Sequence, residues 1–191
     1  EAENCGRLIL FGNPKWPAQS RRRLLRIAGE AVNHLVNLAS QGRSFPPGTL
    51  AHRILHDPGR PLPGTGIEEY IAYVEGLEKR NGWILTSTNL DEDLPSCDVV
   101  ISATSSPFTL LTPHNLKKGA LVCDISRPGN VSPEVALKRP DVLVFDGGII
   151  QVPGKPDLGW NFGLDQGLAF ACMAETMMLA LEHHYEHTSI G

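Results

Sequence analysis

The side chains best suited to chemistry in this chain fall into three short clusters: Ser102-Ala103-Thr104-Ser105, Ser126-Arg127-Pro128-Gly129 and Asp146-Gly147-Gly148. Serine and threonine hydroxyls can bond sugar or phosphate oxygens. The guanidinium fork of Arg127 suits a phosphate or a carbonyl oxygen. Paired glycines let a flat ring approach the backbone. Each cluster ends an apolar run: DVVISA over 98–103, ALVCDI over 120–125 and VLVFD over 142–146. Continuous apolar runs bounded by turn residues read as strands buried on both faces, hence a parallel sheet. Ligands of such sheets bind outside the carboxyl ends of the strands, so the clusters read as a nucleotide-binding edge. Plainer readings stand beside this one: a strand-end turn for the first cluster, a surface arginine, and a tight glycine turn. Asp124, at the buried end of its strand, suits holding nearby loop backbone better than catalysis.

The elements that must position these clusters alternate strand and helix, which predicts a layered α/β fold. Residues 7–11 (RLILF) and 83–87 read as two further strands, giving about five. Leu24, Ala28, Ala31, Leu35 and Leu38 recur at helical spacing within a helix over 20–39. A short helix is predicted over 49–56. Thr65-Gly66-Ile67-Glu68 matches a capping box opening a helix with Ile67, Tyr70, Val74 and Leu77 on one face. Asn81-Gly82 stops that helix. Thr112-Pro113 and Ser132-Pro133-Glu134 read as helix starts in the two crossovers. An acidic turn of helix over 90–94 and a last helix over 165–187 complete the pattern.

Composition fixes the broad class. With 191 residues, the chain is long enough for one well-buried domain. A net charge of -4 argues against a nucleic-acid surface. No apolar run has the length of a membrane span. The four cysteines are scattered, without the C-x-x-C or Cys/His spacing of a metal site, so no metal is expected. Cys123 and Cys172 fall in apolar patterns and read as core residues. Reduced thiols point to a cytoplasmic protein. The chain begins without Met, which reads as processing or as part of a longer chain.

The segments LPSCDVVISATSSP, LKKGALVCDISRPGNVSPEV and DVLVFDGGI, in that order, resemble the cofactor domain shared by shikimate dehydrogenases and glutamyl-tRNA reductases. The likeness is nearest to the group of cyanobacterial long-chain acyl-ACP (acyl carrier protein) reductases, also described as predicted amino-acid dehydrogenases. The tail FACMAETMMLALE is similar to the helix closing that family's sheet. The resemblance covers 94–182 well and 7–13 loosely. It implies a Rossmann-like, doubly wound, mostly parallel sheet whose first strand and G-x-G-x-x-G loop are missing. Gly64-Thr65-Gly66 does not supply that loop, because Glu69 stands at the third glycine position. The expected organisation is a single NAD(P)-binding domain over 1–191, N-terminally truncated, with a helical insertion at about 41–80. The missing N-terminal domain of the parent chain is its first expected partner; a homo-oligomer is compatible with the sequence.

The resemblance implies an NAD(P)-dependent oxidoreductase that transfers hydride to or from a carbonyl or an acyl thioester. It sets Ser102, Ala103, Thr104 and Ser105 beside the cofactor ribose, Ser126 and Arg127 near a phosphate or substrate, and Gly147 and Gly148 near the nicotinamide. After the second-strand position come Asn13, Lys15 and Arg21-Arg22-Arg23, with none of the acids that bind the adenosine ribose of NAD. Arginines near a helix N-terminus oppose its dipole, and a bound anion would offset that. The expected cofactor is therefore NADP, with NAD open and a solvated basic face as the plain reading. Acyl-ACP reductases carry a nucleophilic cysteine in G-G-x-x-x-x-C, where this chain has Pro153. Proline cannot attack a thioester, which disfavours a covalent route. Lys155, His114 and Asp157 are the candidate proton donors. Glu175, alone among apolar residues, reads as a structural anchor. His183, His184 and His187 read as a solvated helix end. A non-catalytic NAD(P)-sensing or scaffold domain is the alternative from another class. A small-molecule or acyl-thioester substrate is expected, and the isolated chain is expected to be inactive.

Overall fold

The structure, a computed structural model, describes residues 5–157, 159 and 163–186. It divides into two compact units, within residues 1–93 and 94–191.

The first unit is built on two long helices and a pair of parallel strands. Strand β1 (Leu8–Phe11) leads into α1 (Pro17–Ser40), then α2 (Leu50–Leu55), α3 (Ile67–Arg80) and β2 (Ile84–Ser87). β1 and β2 pair in parallel, Leu8 opposite Ile84 and Phe11 opposite Ser87. A short acidic helix, α4 (Leu90–Asp93), ends the unit. Helix α1 begins three residues earlier than its periodicity suggests, because Pro17 suits the first helical turn. Its buried stripe is Leu25, Ala28, Val32 and Val36; Ala31 is exposed. Tyr70, Tyr73, Val74 and Leu77 of α3 pack on that stripe with Ile54 of α2 and Ile84 of β2. Gly29 makes the close approach possible, since a Cβ there would lie 3.2 Å from the Ile71 backbone nitrogen. The residues read as an insertion at 41–80 thus include α2 and α3, both part of this core.

The capping box at Thr65 does not form. Its hydroxyl donates to the Leu62 carbonyl (2.9 Å), and Gly66 caps α3. Asn81 and Gly82, the latter at φ 63, end α3 as expected.

The second unit follows a 3₁₀ turn (Leu94–Ser96). Strands β3 (Val99–Ser102), β4 (Leu121–Asp124) and β5 (Leu143–Asp146) form a parallel three-stranded sheet in the order β3-β4-β5. Helix α5 (Pro133–Lys138) makes the second crossover, with Ser132 accepting from the Glu134 N–H. The fold is Rossmann-like α/β, but the count per sheet is smaller than expected. The five expected strands occur as a parallel pair and a parallel trio, not as one five-stranded sheet.

Other expectations need correction. The first crossover carries no helix at Thr112-Pro113; Asn115 folds it into a turn by accepting from the Thr112 N–H. After β5 an antiparallel hairpin, β6 (Ile149–Gln151) with β7 (Leu168–Phe170), was not anticipated. The final helix, α6, spans only Ala171–Leu181, because β7 occupies the residues assigned to its start. His187 lies outside the described residues. Cys172 is exposed, not core, and all four cysteines are free thiols. Glu175 is likewise exposed on α6.

One face of the trio is covered. Val100 and Val122 are buried there, and Leu111, Leu116 and Val135 of the crossovers are buried too. The other face is apolar and open: Val99 is 58%, Ile101 65%, Leu143 63% and Phe145 44% exposed. The expectation of strands buried on both faces therefore holds for one face only. Among the described residues, no helix is long and apolar enough to cross a membrane, and no group of three His, Cys, Asp or Glu side chains is placed to hold a metal.

Candidate functional site

The three strand ends converge at the carboxyl edge of the trio, where parallel register brings Ser102 beside Asp124 and Asp124 beside Asp146. The turns beyond them are fixed by a buried polar network centred on Asn130, a residue the sequence reading did not select. Its side-chain oxygen accepts from the Ser102 hydroxyl (3.2 Å) and the Thr104 hydroxyl. Its side-chain NH2 donates to the Ser106 and Phe108 carbonyls (3.1 and 3.0 Å). Its carbonyl accepts from the N–H groups of Leu110 and Leu111 (2.9 and 3.0 Å). Every polar group of this fully buried amide is therefore satisfied.

The hydroxyls have a set direction. An amide oxygen only accepts, so the Ser102 proton points at Asn130. Ser126 must then donate to Ser102 across 2.9 Å, while the Ser126 oxygen accepts from the Thr104 N–H at 3.1 Å. Ser102 and Ser126 are both buried, with their hydroxyls committed inside the protein. They shape the edge; the groups they leave facing outward are Ala103, Thr104 and Ser105, all exposed.

Asp124 anchors the second turn. Its carboxylate accepts from the backbone N–H groups of Ser126 (3.0 Å), Asn130 (2.6 Å) and Val131 (3.1 Å). Burial alone would raise its pKa, but the bonds from Ser126, Asn130 and Val131 together outweigh that and hold it below the ordinary value. A carboxylate stabilised this way is a poor proton acceptor and a good brace.

Arg127 forms the rim. Its Nη2 donates to both Asp146 oxygens (2.7 and 2.9 Å), and its guanidinium lies 5.5 Å from the centre of the Phe170 ring. Asp146 also accepts from the Gly148 N–H (2.8 Å). This charge pair ties the second turn to the third. Gly147 is required sterically: a Cβ there would fall 2.5 Å from Ile125 Cγ2 and 2.6 Å from Cys123 Sγ. The signal for Asn130 was present in the sequence, since a polar residue two after Pro128 in a turn beside buried strands needs partners.

The three candidate proton donors are not joined to this network by any recorded bond among the described residues. His114 is exposed in the first crossover, where its charge acts on Glu134. Lys155 is exposed after β6 at φ 47, packed under Gly167. Asp157 accepts from the Gly159 N–H (2.8 Å), closing a local turn. Pro153 stands in the turn between β6 and β7.

In the first unit, the Asn13 side chain accepts from the Lys15 N–H (2.9 Å), and its carbonyl accepts from the Ser20 hydroxyl (2.9 Å). Gly12 is held close to α1, where a Cβ would meet Ser20 Cβ at 2.6 Å. Arg21 pairs with Glu75 (3.3 Å) and Glu78 (2.6 Å) of α3. Its charge is therefore largely spent on tying α1 to α3. Arg22 is exposed and has no recorded ion pair among the described residues.

Comparison with known proteins gives two findings. Residues 69–146 match the family described as Shikimate / quinate 5-dehydrogenase. That span runs from α3 to the end of β5 and includes the first two strand-end clusters and Asp146. Over 111 residues, the chain is 34% identical to "Aminotransferase PigE" of Serratia sp. (strain ATCC 39006). The alignment takes in 56% of this chain but only 13% of that relative's length. The segment that carries the candidate site is thus similar in sequence to shikimate and quinate dehydrogenases.

Proposed function

We propose that this chain forms the ribose and nicotinamide side of the cofactor site in an NAD(P)-dependent oxidoreductase that acts by hydride transfer on a carbonyl or acyl-thioester carbon. The observation that carries the reading is the edge at β3, β4 and β5, braced by Asn130 and Asp124 and cleared by Gly147, inside the segment that matches the dehydrogenase family. The fit is one of space: no Cβ can be accommodated at Gly147, and Gly148 is open apart from the Arg127 guanidinium 3.2 Å from its Cβ position.

The residues divide the work. Ala103 and Thr104 would hold the ribose by exposed backbone and hydroxyl groups. Gly147 and Gly148 would bear the ring. Ser102, Ser126 and Asn130 fix the turns, and the Arg127–Asp146 pair sets their spacing. When bound, the nicotinamide supplies the hydride for the substrate carbon. Preference for NADP rests on Arg22, because Arg21 is already paired with two glutamates.

Reduction of an acyl-ACP or acyl-CoA to an aldehyde is the narrower reading suggested by the sequence likeness. Pro153 at the cysteine position favours direct hydride transfer over a thioester-bound enzyme. The sequence holds no G-x-G-x-x-G, so weak binding is expected, because that loop supplies the pyrophosphate contacts. Titration of the chain with NADPH, followed by backbone NMR, tests the site. Shifts should concentrate at Thr104, Ser126, Arg127, Gly147 and Gly148, and Arg22→Gln should narrow the difference between NADPH and NADH. Saturation with no shift at the three turns would sink the reading.

A further inference from the structure

The first unit contains a groove of about 430 Å3, formed where the C-terminal end of α1, the loop after it and α2 meet. That volume is in the range of small-molecule sites. Phe45 and Leu55 give it apolar walls; Arg43, His52, His56 and Arg60 line it as well, and no acidic residue does. It is built from residues before 69, outside the segment that matches the dehydrogenase family.

The basic groups are held in place by bonds that leave their charge uncompensated. The Arg60 guanidinium donates to the carbonyls of Leu55 (3.2 Å) and Pro61 (3.4 Å), which fix it without neutralising it. The nearby carboxylate of Asp57 is taken up by Tyr73, Arg80 and the Gly59 N–H. The Arg43 guanidinium lies 5.9 Å from the Phe45 ring centre. His52 and His56 stack with their ring centres 4.1 Å apart. His56 Nδ1 lies 2.8 Å from the His52 carbonyl, an oxygen that only accepts. Nδ1 therefore carries a proton, and Nε2 is the nitrogen left to gain one beside an anion.

We propose that this groove binds a phosphate monoester carried on an apolar body. The two arginines match a doubly charged oxyanion, whose oxygens suit guanidinium donors. The apolar walls match the body behind it. Neither half suffices: a wholly apolar ligand would leave four basic groups facing it, and a bare ion would leave the walls unused.

Phenyl phosphate is the probe, with inorganic phosphate and benzyl alcohol as its two halves. NMR titration of the whole chain should show saturable shifts at Arg43, His52, His56 and Arg60. Phenyl phosphate should bind at least about tenfold more tightly than either half. The Arg43→Gln/Arg60→Gln pair should lose at least about tenfold of that affinity. Because Arg60 also ties down Leu55 and Pro61, Arg43→Gln alone is measured beside it and should weaken binding without moving amides elsewhere. Phe45→Ala should weaken phenyl phosphate and spare inorganic phosphate. Non-saturating shifts, equal binding of benzyl alcohol, equal binding of inorganic phosphate, or indifference to Arg43→Gln would each overturn the proposal. NADPH shifts at Thr104 and Gly147 read the cofactor site separately, so either idea can fail alone.

Discussion

The two units bury their apolar residues in opposite ways. In the first, α1, α2 and α3 enclose Leu25, Val36, Ile54, Tyr70, Val74 and Leu77 around β1 and β2, and each of these side chains is nearly inaccessible. In the second, the trio has one packed face, and the other presents Val99, Ile101, Leu143 and Phe145 to solvent. Its α6 likewise leaves Met177, Met178 and Leu181 exposed. Parallel sheets are ordinarily covered on both faces. The first unit is thus held by hydrophobic packing, whereas the second relies more on the polar brace of Asp124 and Asn130. The unit that carries the candidate cofactor edge is the one whose order depends on hydrogen bonds.

The sharpest break in that comparison is one substitution made twice. Leu77→Ala removes a fully buried side chain and should cost about 3 kcal/mol by lost transfer energy and a residual cavity. Leu143→Ala, on the open face, should cost less than about 0.5 kcal/mol. Amide hydrogen exchange resolves the two units separately, which a single melting curve would not. A cost at Leu143 approaching that at Leu77 would mean that the open face is covered in solution. Binding of an apolar dye, reduced in an Ile101→Thr/Phe145→Thr variant, checks the same face directly.

The polar brace comes next in size. Asn130→Ala strands the Ser102 and Thr104 hydroxyls and two carbonyls, which should cost about 2 kcal/mol within the second unit. Exchange should rise at 102–111 and 124–131 while the first unit is unchanged. Asn130→Asp should not restore stability, because a carboxylate cannot donate to the Ser106 and Phe108 carbonyls. Gly147→Ala should displace the end of β5, since its methyl would overlap Ile125 and Cys123. Loss of the NADPH shifts at Gly148 with the shifts at Thr104 retained would locate that damage at the third turn. Smaller still, Arg21→Gln should cost about 0.5 kcal/mol or less, as expected for an ion pair open to solvent.

Legibility in the sequence followed the same divide. All five expected strands formed, because β-branched runs bounded by turn residues carry their own signal. The stripe on α3 was readable from Tyr70, Val74 and Leu77. Grouping of strands into sheets was not readable, since nothing in RLILF says which strand it will pair with. The hairpin of β6 and β7 was hidden because its strands are three residues each. At the candidate site, residue types were legible but their tasks were not. Ser102 and Ser126 look like ligand hydroxyls in one dimension; three-dimensional pairing turns them inward to Asn130. Arg127 and Arg21 look like anion binders until Asp146, Glu75 and Glu78 arrive from distant positions. Charges brought together by tertiary structure are what a linear pattern conceals.

The finest test uses pH, because each unit has one strongly placed acid. In the first, burial pushes the Tyr73 hydroxyl well above its ordinary 10.0, with the charge of Asp57 and a hydrogen bond to it adding to the effect. Above pH 10 the unfolded chain therefore loses a proton that the folded unit keeps, and stability falls as pH rises. In the second, Asp124 is held below its ordinary 3.8. Below about pH 4 the unfolded chain binds a proton that the folded unit refuses, and stability falls as pH drops. Exchange in the first unit should thus quicken on the alkaline side, beyond the intrinsic rate, and Tyr73→Phe should abolish that slope. Exchange in the second should quicken on the acid side, and Asp124→Asn should flatten it at the cost of a weaker turn at neutral pH. If acid loosened both units equally, the brace at Asp124 would not be what distinguishes them.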